Sequence, residues 1–268
     1  MSVNDELGKR MKEYYEQVPK TRLVRRIPVA IRIDGKAFHT FTRGFEKPFD
    51  RILISTMQNT MKKLCENIQG CIFGYTQSDE ITLILKDYTK LNTSAWFDYE
   101  VQKMCSIAAS MATLYFNQFF RDALDPGLTG QYSLSKSEVE HLSARIRARD
   151  KGAMFDARCF NIPKEEVANL IYWRQIDAYR NSRQMAGQAN FSAKELNGKS
   201  CTKIVEMLAE KGIDFEKVYT GAEKYGTVCY KAEEADKYGT WVVAGCERIM
   251  NIADRAFLQQ LVDYVEEG

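Results

Sequence analysis

The sequence predicts a mixed α+β fold, with a ferredoxin-like β-α-β-β-α-β core in residues 1–163 and a more helical part in 164–268 packed into the same unit. Two observations indicate this fold. Four short β-rich segments lie in the first part, at 28–34, 71–76, 81–86 and 155–162. Two long segments with helical periodicity, 51–68 and 98–120, separate the first strand from a hairpin and the hairpin from the last strand.

Composition narrows the class of protein. The chain is 45% hydrophobic and 28% charged, as in ordinary soluble proteins. A net charge of +2 does not by itself indicate a nucleic-acid binder, although a local basic groove remains open. The seven cysteines include no Cys-x-x-Cys pair, which argues against a zinc ribbon and favours a reducing, cytoplasmic location. The polar N-terminus and the absence of an 18-residue apolar run predict no signal peptide and no membrane partner.

The first strand follows an N-terminal helix predicted at 4–17 and a basic segment at 20–26. That segment is either a solvated connector or a phosphate-contacting strip. Alternation in the strand at 28–34 places Val29, Ile31 and Ile33 on one face, with Arg32 and Asp34 on the other. Gly35 ends the strand.

The helix and hairpin that follow complete the core. Asp50 is an N-cap candidate for the helix at 51–68, which Gly70 closes. The two runs of the hairpin join through 77–80, which reads Gln-Ser-Asp-Glu. In a split β-α-β unit the first strand lies beside the central hairpin, so we expect Asp34 and Asp79 to approach each other.

The remaining elements are an insert and the C-terminal part. The insert, about 124–153, comprises a loop at 124–134 and a helix that opens on a Ser135–Glu138 capping box and has a basic end. The strand at 155–162 precedes one or two helices in 164–190 and short helices at 192–197 and 200–211. A hairpin of strands 226–231 and 239–245 and a helix at 249–266 end the chain.

The acidic residues at the strand ends suggest metal chemistry. Two close carboxylates repel each other, and a divalent cation relieves the repulsion. A small set of hard oxygen ligands is typical of magnesium, and two such ions can promote nucleotidyl transfer. The same element order occurs in polymerase palm domains. The alternative is that Asp34 and Asp79 are ordinary turn carboxylates. Likewise, His39 and Lys47 either contact phosphate or serve as a packed histidine and a solvated lysine.

These residues together resemble the tRNA-His guanylyltransferase family and its 3′-to-5′ polymerase-like members. The resemblance rests on motifs in the family's order: Arg-Ile-Asp-Gly at 32–35 with Phe38-His39-x-Phe41, Phe45-x-Lys47-Pro48, Tyr75-x-Gln77-Ser78-Asp79-Glu80, Phe155-Asp156-x-Arg158, Trp173-Arg174-Gln175-x-Asp177 and, faintly, Gly226-Thr227-Val228. They span about residues 28–230.

The resemblance implies a palm-like enzyme with two Mg²⁺ ions that activates an RNA 5′-monophosphate with ATP. The 3′-hydroxyl of an incoming nucleotide, such as GTP, then attacks the activated end. Asp34, Asp79 and the Gly35 carbonyl would be metal ligands, and Glu80 would support the catalytic site. The implied nucleotide contacts are Arg32, Lys36, Ala37, Phe38, His39, Lys47 and Ser78, and the implied RNA contacts are Arg158, Arg174, Arg180, Asn181 and Arg183. A homotetramer is also implied.

One departure from the family pattern bears on the substrate. Eukaryotic members carry His-Ile-Asn-Asn-Leu-Tyr-Asn where this chain has Tyr179 to Met185, and only Asn181 is kept. The departure favours the bacterial, archaeal or phage-like branch of the family over addition of the extra guanylate to histidine tRNA. Resemblance to that branch implies template-dependent 3′-to-5′ addition of nucleotides to truncated tRNA 5′ ends. Arg180 and Arg183 then either meet phosphates or lie on an exposed helix face. A nucleotide cyclase on a palm fold and a non-catalytic RNA-binding module remain alternatives.

Overall fold

The fold is built on one antiparallel sheet, seen in a computed structural model that describes residues 3–125, 135–232 and 239–263. The first four strands are β1 Val29–Gly35, β2 Cys71–Gln77, β3 Glu80–Leu85 and β4 Phe155–Asn161. They lie in the order β4-β1-β3-β2, with every neighbouring pair antiparallel. This is the order of a ferredoxin-like unit, so the predicted fold class is confirmed.

Helices of the first part cover one face of this sheet. They are α2 Phe38–Phe41, α3 Arg51–Asn67, α4 Val101–Ala123 and α5 Lys136–Lys151, whereas α1 Val3–Met11 is largely exposed and adds no residue to the core. The side chains of Ile31 and Ile33 are fully buried in the core that α3 and α4 form with the sheet. The Asp50 side chain accepts a hydrogen bond from the Leu53 amide at 3.0 Å, which confirms the predicted cap of α3.

The C-terminal part adds strands to the same sheet and helices to its other face. Its elements are α6 Lys164–Asn190, α7 Ala193–Leu196, α8 Cys201–Glu210, α9 Phe215–Val218, α10 Gly221–Tyr225, β5 Thr227–Lys231, β6 Trp241–Gly245 and α11 Ile252–Val262. β5 pairs with β2 and β6 pairs with β5. Helices α6 and α11 bury Ala30, Phe73 and Ile84 beneath them. The predicted division at residue 163 stays a prediction.

Several elements differ from the sequence-based expectation. The N-terminal helix ends at Met11 and continues as a π-helical turn at Lys12–Glu16, and its apolar side chains, including Leu7 and Tyr15, are exposed. Residues 164–190 form a single helix. Helices α2, α9 and α10 were not predicted, and the predicted loop at 124–134 lies mostly outside the described residues. Among the described helices, none is both long and apolar enough to cross a membrane.

Candidate active site

The end of β1 and the β2–β3 turn bring the predicted acidic residues together. Asp34 is paired in register with Glu80 on β3. The Gln77–Glu80 pair closes the hairpin, so Ser78 and Asp79 form a two-residue turn in which Ser78 has φ of +51°. The Gly35 amide donates to the Asp79 carbonyl oxygen at 3.1 Å. Asp34, Gly35 and Asp79 therefore meet at one end of the sheet.

Asp34 and Asp79, unlike Glu80, have no cationic partner in the part of the chain that the structure describes. Burial raises the pKa of Asp79, the hydrogen bond from the Ser78 hydroxyl (3.0 Å) opposes that shift, and the charges of Asp34 and Glu80 add to it. Across the described ranges, no Lys, Arg or His nitrogen lies within 4.0 Å of the Asp34 or Asp79 carboxylate. Uncompensated carboxylates of this kind fit a bound cation.

The donor set at this site is sparse and made of oxygen. No group of three or more His, Cys, Asp or Glu side chains in the described part of the chain could hold a metal ion. The available ligands are thus two carboxylates and the Gly35 carbonyl. Mg²⁺ keeps several waters and takes substrate phosphates to complete its shell. The residues present therefore fit magnesium better than a metal that needs a full protein cage.

Glu80 has a different environment from the two aspartates. Its side chain is 7% exposed, and its Oε1 accepts from Arg174 Nε at 2.7 Å. Arg32 Nε lies 3.5 Å from the other carboxylate oxygen, and the Arg32 and Arg174 guanidinium groups lie 5.8 and 4.6 Å from the centre of the Trp173 ring. Glu80 thus lies between two cations on the sheet face that α6 covers. Because both of its carboxylate oxygens face arginine side chains, we expect Glu80 to support the site rather than to bind a metal ion.

A cavity of about 440 Å³ opens beside the aspartates and is suited to a nucleotide. Seven predicted site residues line it: Gly35, Ala37, Phe38, His39, Lys47, Ser78 and Asp79. The turn after β1 positions four of them, because Ala37 takes a left-handed conformation (φ of +54°) that starts α2. Gly35 is required here, since a Cβ at this position would lie 2.2 Å from the Phe38 ring. We name this space the nucleotide cavity.

Other predicted contacts lie elsewhere. Lys36 lines a neighbouring cleft rather than the nucleotide cavity. Arg158 is exposed on β4, with Nη2 3.2 Å from an Asp156 oxygen. Arg174 is only 6% exposed and donates to Glu80 and Asp177, so its burial corrects the expectation of an RNA contact. Its guanidinium instead fixes Glu80.

The segment from Tyr179 to Met185 runs along α6 beside the cavity. The side chain of Asn181 lines a smaller cavity that shares Ser78 and Met185 with the nucleotide cavity. Arg180 is exposed and donates to Asp177 at 2.6 Å. Arg183 stacks over the Tyr179 ring at 4.1 Å. Met185 is a cavity residue that sequence reasoning did not single out.

Asp50 is a second cavity residue that the sequence did not single out as part of the site, because the sequence indicates only its role as a helix cap. Its Oδ2 accepts from the Glu46 amide at 3.2 Å and lies 2.8 Å from Arg145 Nη2 of α5. The cavity loop, the start of α3 and the insert helix therefore meet at one buried carboxylate. Arg145 lies 95 positions further along the chain, so no local pattern signals the pair.

A ferredoxin-like sheet that brings two aspartates to one end beside a nucleotide-sized cavity is the arrangement of palm-type nucleotidyltransferases. A family model described as tRNAHis guanylyltransferase (Thg1) matches residues 8–163. The chain therefore belongs to the tRNAHis guanylyltransferase family. This membership confirms both the resemblance read from the motifs and the predicted enzyme class, nucleotidyltransferase.

Solved structures and curated relatives agree. A bacterial tRNA(His) guanylyltransferase (Thg1)-like protein in complex with ATP matches with a TM-score of 0.79 and 35% identity, over 96% of this chain and 99% of that one. The tRNA(His) guanylyltransferase of Saccharomyces cerevisiae shares the fold, with a TM-score of 0.62 and 20% identity over 81% and 92% of the two chains.

Among the relatives, the uncharacterized protein R259 of Acanthamoeba polyphaga mimivirus is 30% identical over 78% of this chain and 71% of its own length. A probable tRNA(His) guanylyltransferase of Dictyostelium discoideum is 24% identical over 60% of this chain and 54% of its own. The chain spans about half the length of the curated guanylyltransferases that it matches.

Proposed function

We propose that the chain is a template-dependent 3′-to-5′ nucleotidyltransferase that adds nucleotides to the 5′ end of truncated tRNA. The observation that carries the proposal is the nucleotide cavity, in which Asp79 and Gly35, the neighbour of Asp34, lie together with His39, Lys47 and Ser78. The bacterial Thg1-like relatives, solved in complex with ATP and with GTP, support nucleoside triphosphates as the ligands of this cavity.

The chemistry has two transfers. In the first, an oxygen of the RNA 5′-monophosphate attacks the α-phosphorus of ATP, and pyrophosphate leaves. In the second, the 3′-hydroxyl of the incoming nucleotide attacks the activated 5′ phosphorus, AMP leaves, and the hydroxyl proton passes to solvent. Two Mg²⁺ ions, when bound by Asp34, Asp79 and the Gly35 carbonyl, would supply charge neutralisation and a more acidic attacking hydroxyl.

The chain's own residues have separate tasks in this scheme. Lys47 and His39 bind phosphate oxygens, because both side chains line the cavity and are exposed to an incoming ligand. Ser78 donates to Asp79 and orients that carboxylate. Arg174 and Arg32 fix the position of Glu80, which is paired in register with Asp34 on the neighbouring strand. These contacts keep the ends of β1 and β3 in register.

The Tyr179–Met185 segment favours repair of truncated 5′ ends over addition of one guanylate to histidine tRNA. Met185 lines the nucleotide cavity, and the segment lacks the family's histidine-tRNA stretch apart from Asn181. The 35% identity to a bacterial Thg1-like protein supports the same branch of the family. The homotetramer and the cytoplasmic location belong to this proposal as well.

One assay tests the proposal. The protein is incubated with Mg²⁺, ATP, labelled GTP and a 5′-monophosphorylated tRNA that lacks its first nucleotide. We expect label at the 5′ end only where the opposite strand carries cytidine. Label restricted to histidine tRNA regardless of template would support the guanylyltransferase alternative. A cyclic nucleotide formed without RNA would identify a cyclase, and RNA binding without any turnover would identify a binding module.

A further inference from the structure

A basic cleft lies next to the nucleotide cavity. Its volume is about 390 Å³, and its walls are the turn after β1 with α2 on one side and the C-terminal half of α5 on the other. Four cationic side chains line it: Lys36, Arg43, Arg147 and Lys151. Its described lining contains no acidic residue. Ala37 lines both spaces, so the cleft adjoins the nucleotide cavity that Asp79 lines.

The four cations of the basic cleft are exposed. Across the described ranges, no carboxylate lies within 4.0 Å of their charged nitrogens. The other arginines of α5 are engaged: Arg145 pairs with Asp50 at 2.8 Å and Arg149 with Asp150 at 2.8 Å. Cations in the last turn of a helix are favoured by the helix dipole alone. That explanation does not cover Lys36 and Arg43, which converge on the cleft from a different element.

The walls of the cleft are fixed to each other. His141 Nδ1 of α5 lies 3.0 Å from the Gly44 carbonyl oxygen, and the Lys36 amide donates to the Met154 carbonyl oxygen at 2.8 Å. The Arg145–Asp50 pair adds a third tie between α5 and the loop. A preformed cleft binds a ligand at lower entropic cost than one that must assemble.

The lining indicates which part of a ligand the cleft takes. Small residues, including Ala144 and Ala148, form much of its surface. The one aromatic residue among its described lining, Phe41, is partly buried, and its ring packs against four phenylalanine rings of the core. It therefore offers no free aromatic face for a base, whereas lysine and arginine are the side chains that bind phosphate. We propose that the basic cleft binds the phosphodiester backbone of the RNA next to the reacting 5′ end. This assignment rests on the proposed function and deepens it.

Salt-dependent RNA binding tests the cleft apart from turnover. The affinity of the truncated tRNA is measured by fluorescence anisotropy between 50 and 200 mM KCl, without nucleotide or Mg²⁺. Each lost phosphate contact flattens the slope of log affinity against log salt by about 0.7–0.9. For Arg147→Ala/Lys151→Ala we expect a slope flatter by about 1.5, so that wild-type affinity falls about eight-fold more than the variant's over this range.

Matched variants separate charge from structure. Arg149→Ala, which removes a cation paired outside the cleft, should keep the wild-type slope, and so should Arg147→Lys/Lys151→Arg. Arg43→Ala, on the opposite wall, should flatten the slope by about 0.8 even if the α5 double variant does not fold. An unchanged slope in Arg43→Ala and in a folded α5 variant would overturn the proposal.

Two further outcomes are also decisive. Weaker binding of ATP or GTP with an unchanged RNA slope would show that the cleft takes a triphosphate, and would likewise overturn the proposal. If wild type makes no product but the slope flattens as expected, the function proposed above fails while the cleft stands.

Discussion

Replacing Arg174 with methionine should lower the free energy of unfolding by about 3 kcal/mol, because the change leaves Glu80 charged and enclosed. The two side chains are 8% and 7% exposed, and their Nε–Oε1 distance is 2.7 Å. Removing one partner of a buried ion pair costs about 3–5 kcal/mol. Arg32, 3.5 Å from the second carboxylate oxygen, retains part of the compensation, which places the loss at the low end.

Urea unfolding followed by circular dichroism measures this loss in a double-mutant cycle with Glu80→Gln. With the carboxylate also removed, the buried charge that the loss of Arg174 leaves unpaired is gone, so the double variant should be more stable than the sum of the single losses predicts, by about 1 kcal/mol or more. Arg180→Met is the control. Its pair with Asp177 involves a side chain 58% exposed, so the expected loss is under about 1 kcal/mol. Additive losses, within about 0.5 kcal/mol, would refute the reasoning.

Three other predictions concern the site, the backbone and a thiol. Asp79→Asn should lower nucleotidyl transfer more than about 100-fold while Tm changes little, since the change removes a proposed metal ligand from a two-residue turn outside the core. An active variant would contradict the metal assignment. Gly226→Ala should lower the free energy of unfolding in urea by about 3 kcal/mol, because φ is +79° and a Cβ would lie 2.6 Å from the Tyr75 hydroxyl oxygen. The control is Gly198→Ala, which has open space around it and should lower the free energy by only about 1 kcal/mol. Burial raises the pKa of Cys246 to about 11. Its alkylation at pH 8, followed by mass spectrometry, should therefore be about 100-fold slower than that of an ordinary thiol, and the rate should increase as the pH rises towards 11. Equal alkylation rates at pH 8 would exclude a raised pKa.

The sequence was sufficient to predict that Asp34 and Asp79 meet. Period-two alternation identifies the strands, and the order of a split β-α-β unit dictates which strands are neighbours, so both facts are local or topological. The same kind of signal located the caps at Asp50 and Ser135, because each cap satisfies amides within its own first turn. Local pattern and global fold agree at these positions.

Long-range side-chain pairing could not be predicted in this way. Arg174 and Glu80 are 94 positions apart, and their contact depends on how α6 crosses the sheet. The motif that contains Arg174 suggested an RNA contact because a motif shows the type of residue but does not show whether its side chain is buried. Lys36 lines the basic cleft and precedes the left-handed turn at Ala37, a conformation that the sequence does not signal because the residue is neither glycine nor asparagine.

The pairing of β2 with β5 has a consequence for how the chain is made. During synthesis, β2 leaves the ribosome before its outer partner, Thr227–Lys231, exists. At 5–20 residues per second the delay is on the order of 10 s, and throughout it the amides and carbonyls of a largely buried strand are open to other chains. The nascent protein is therefore most prone to aggregate in this interval, and a ribosome that stalls between β4 and β5 would release a chain with an uncovered sheet edge. The hairpin of β5 and β6 thus covers this edge of the sheet late in synthesis, after the strands that carry the two aspartates have been made.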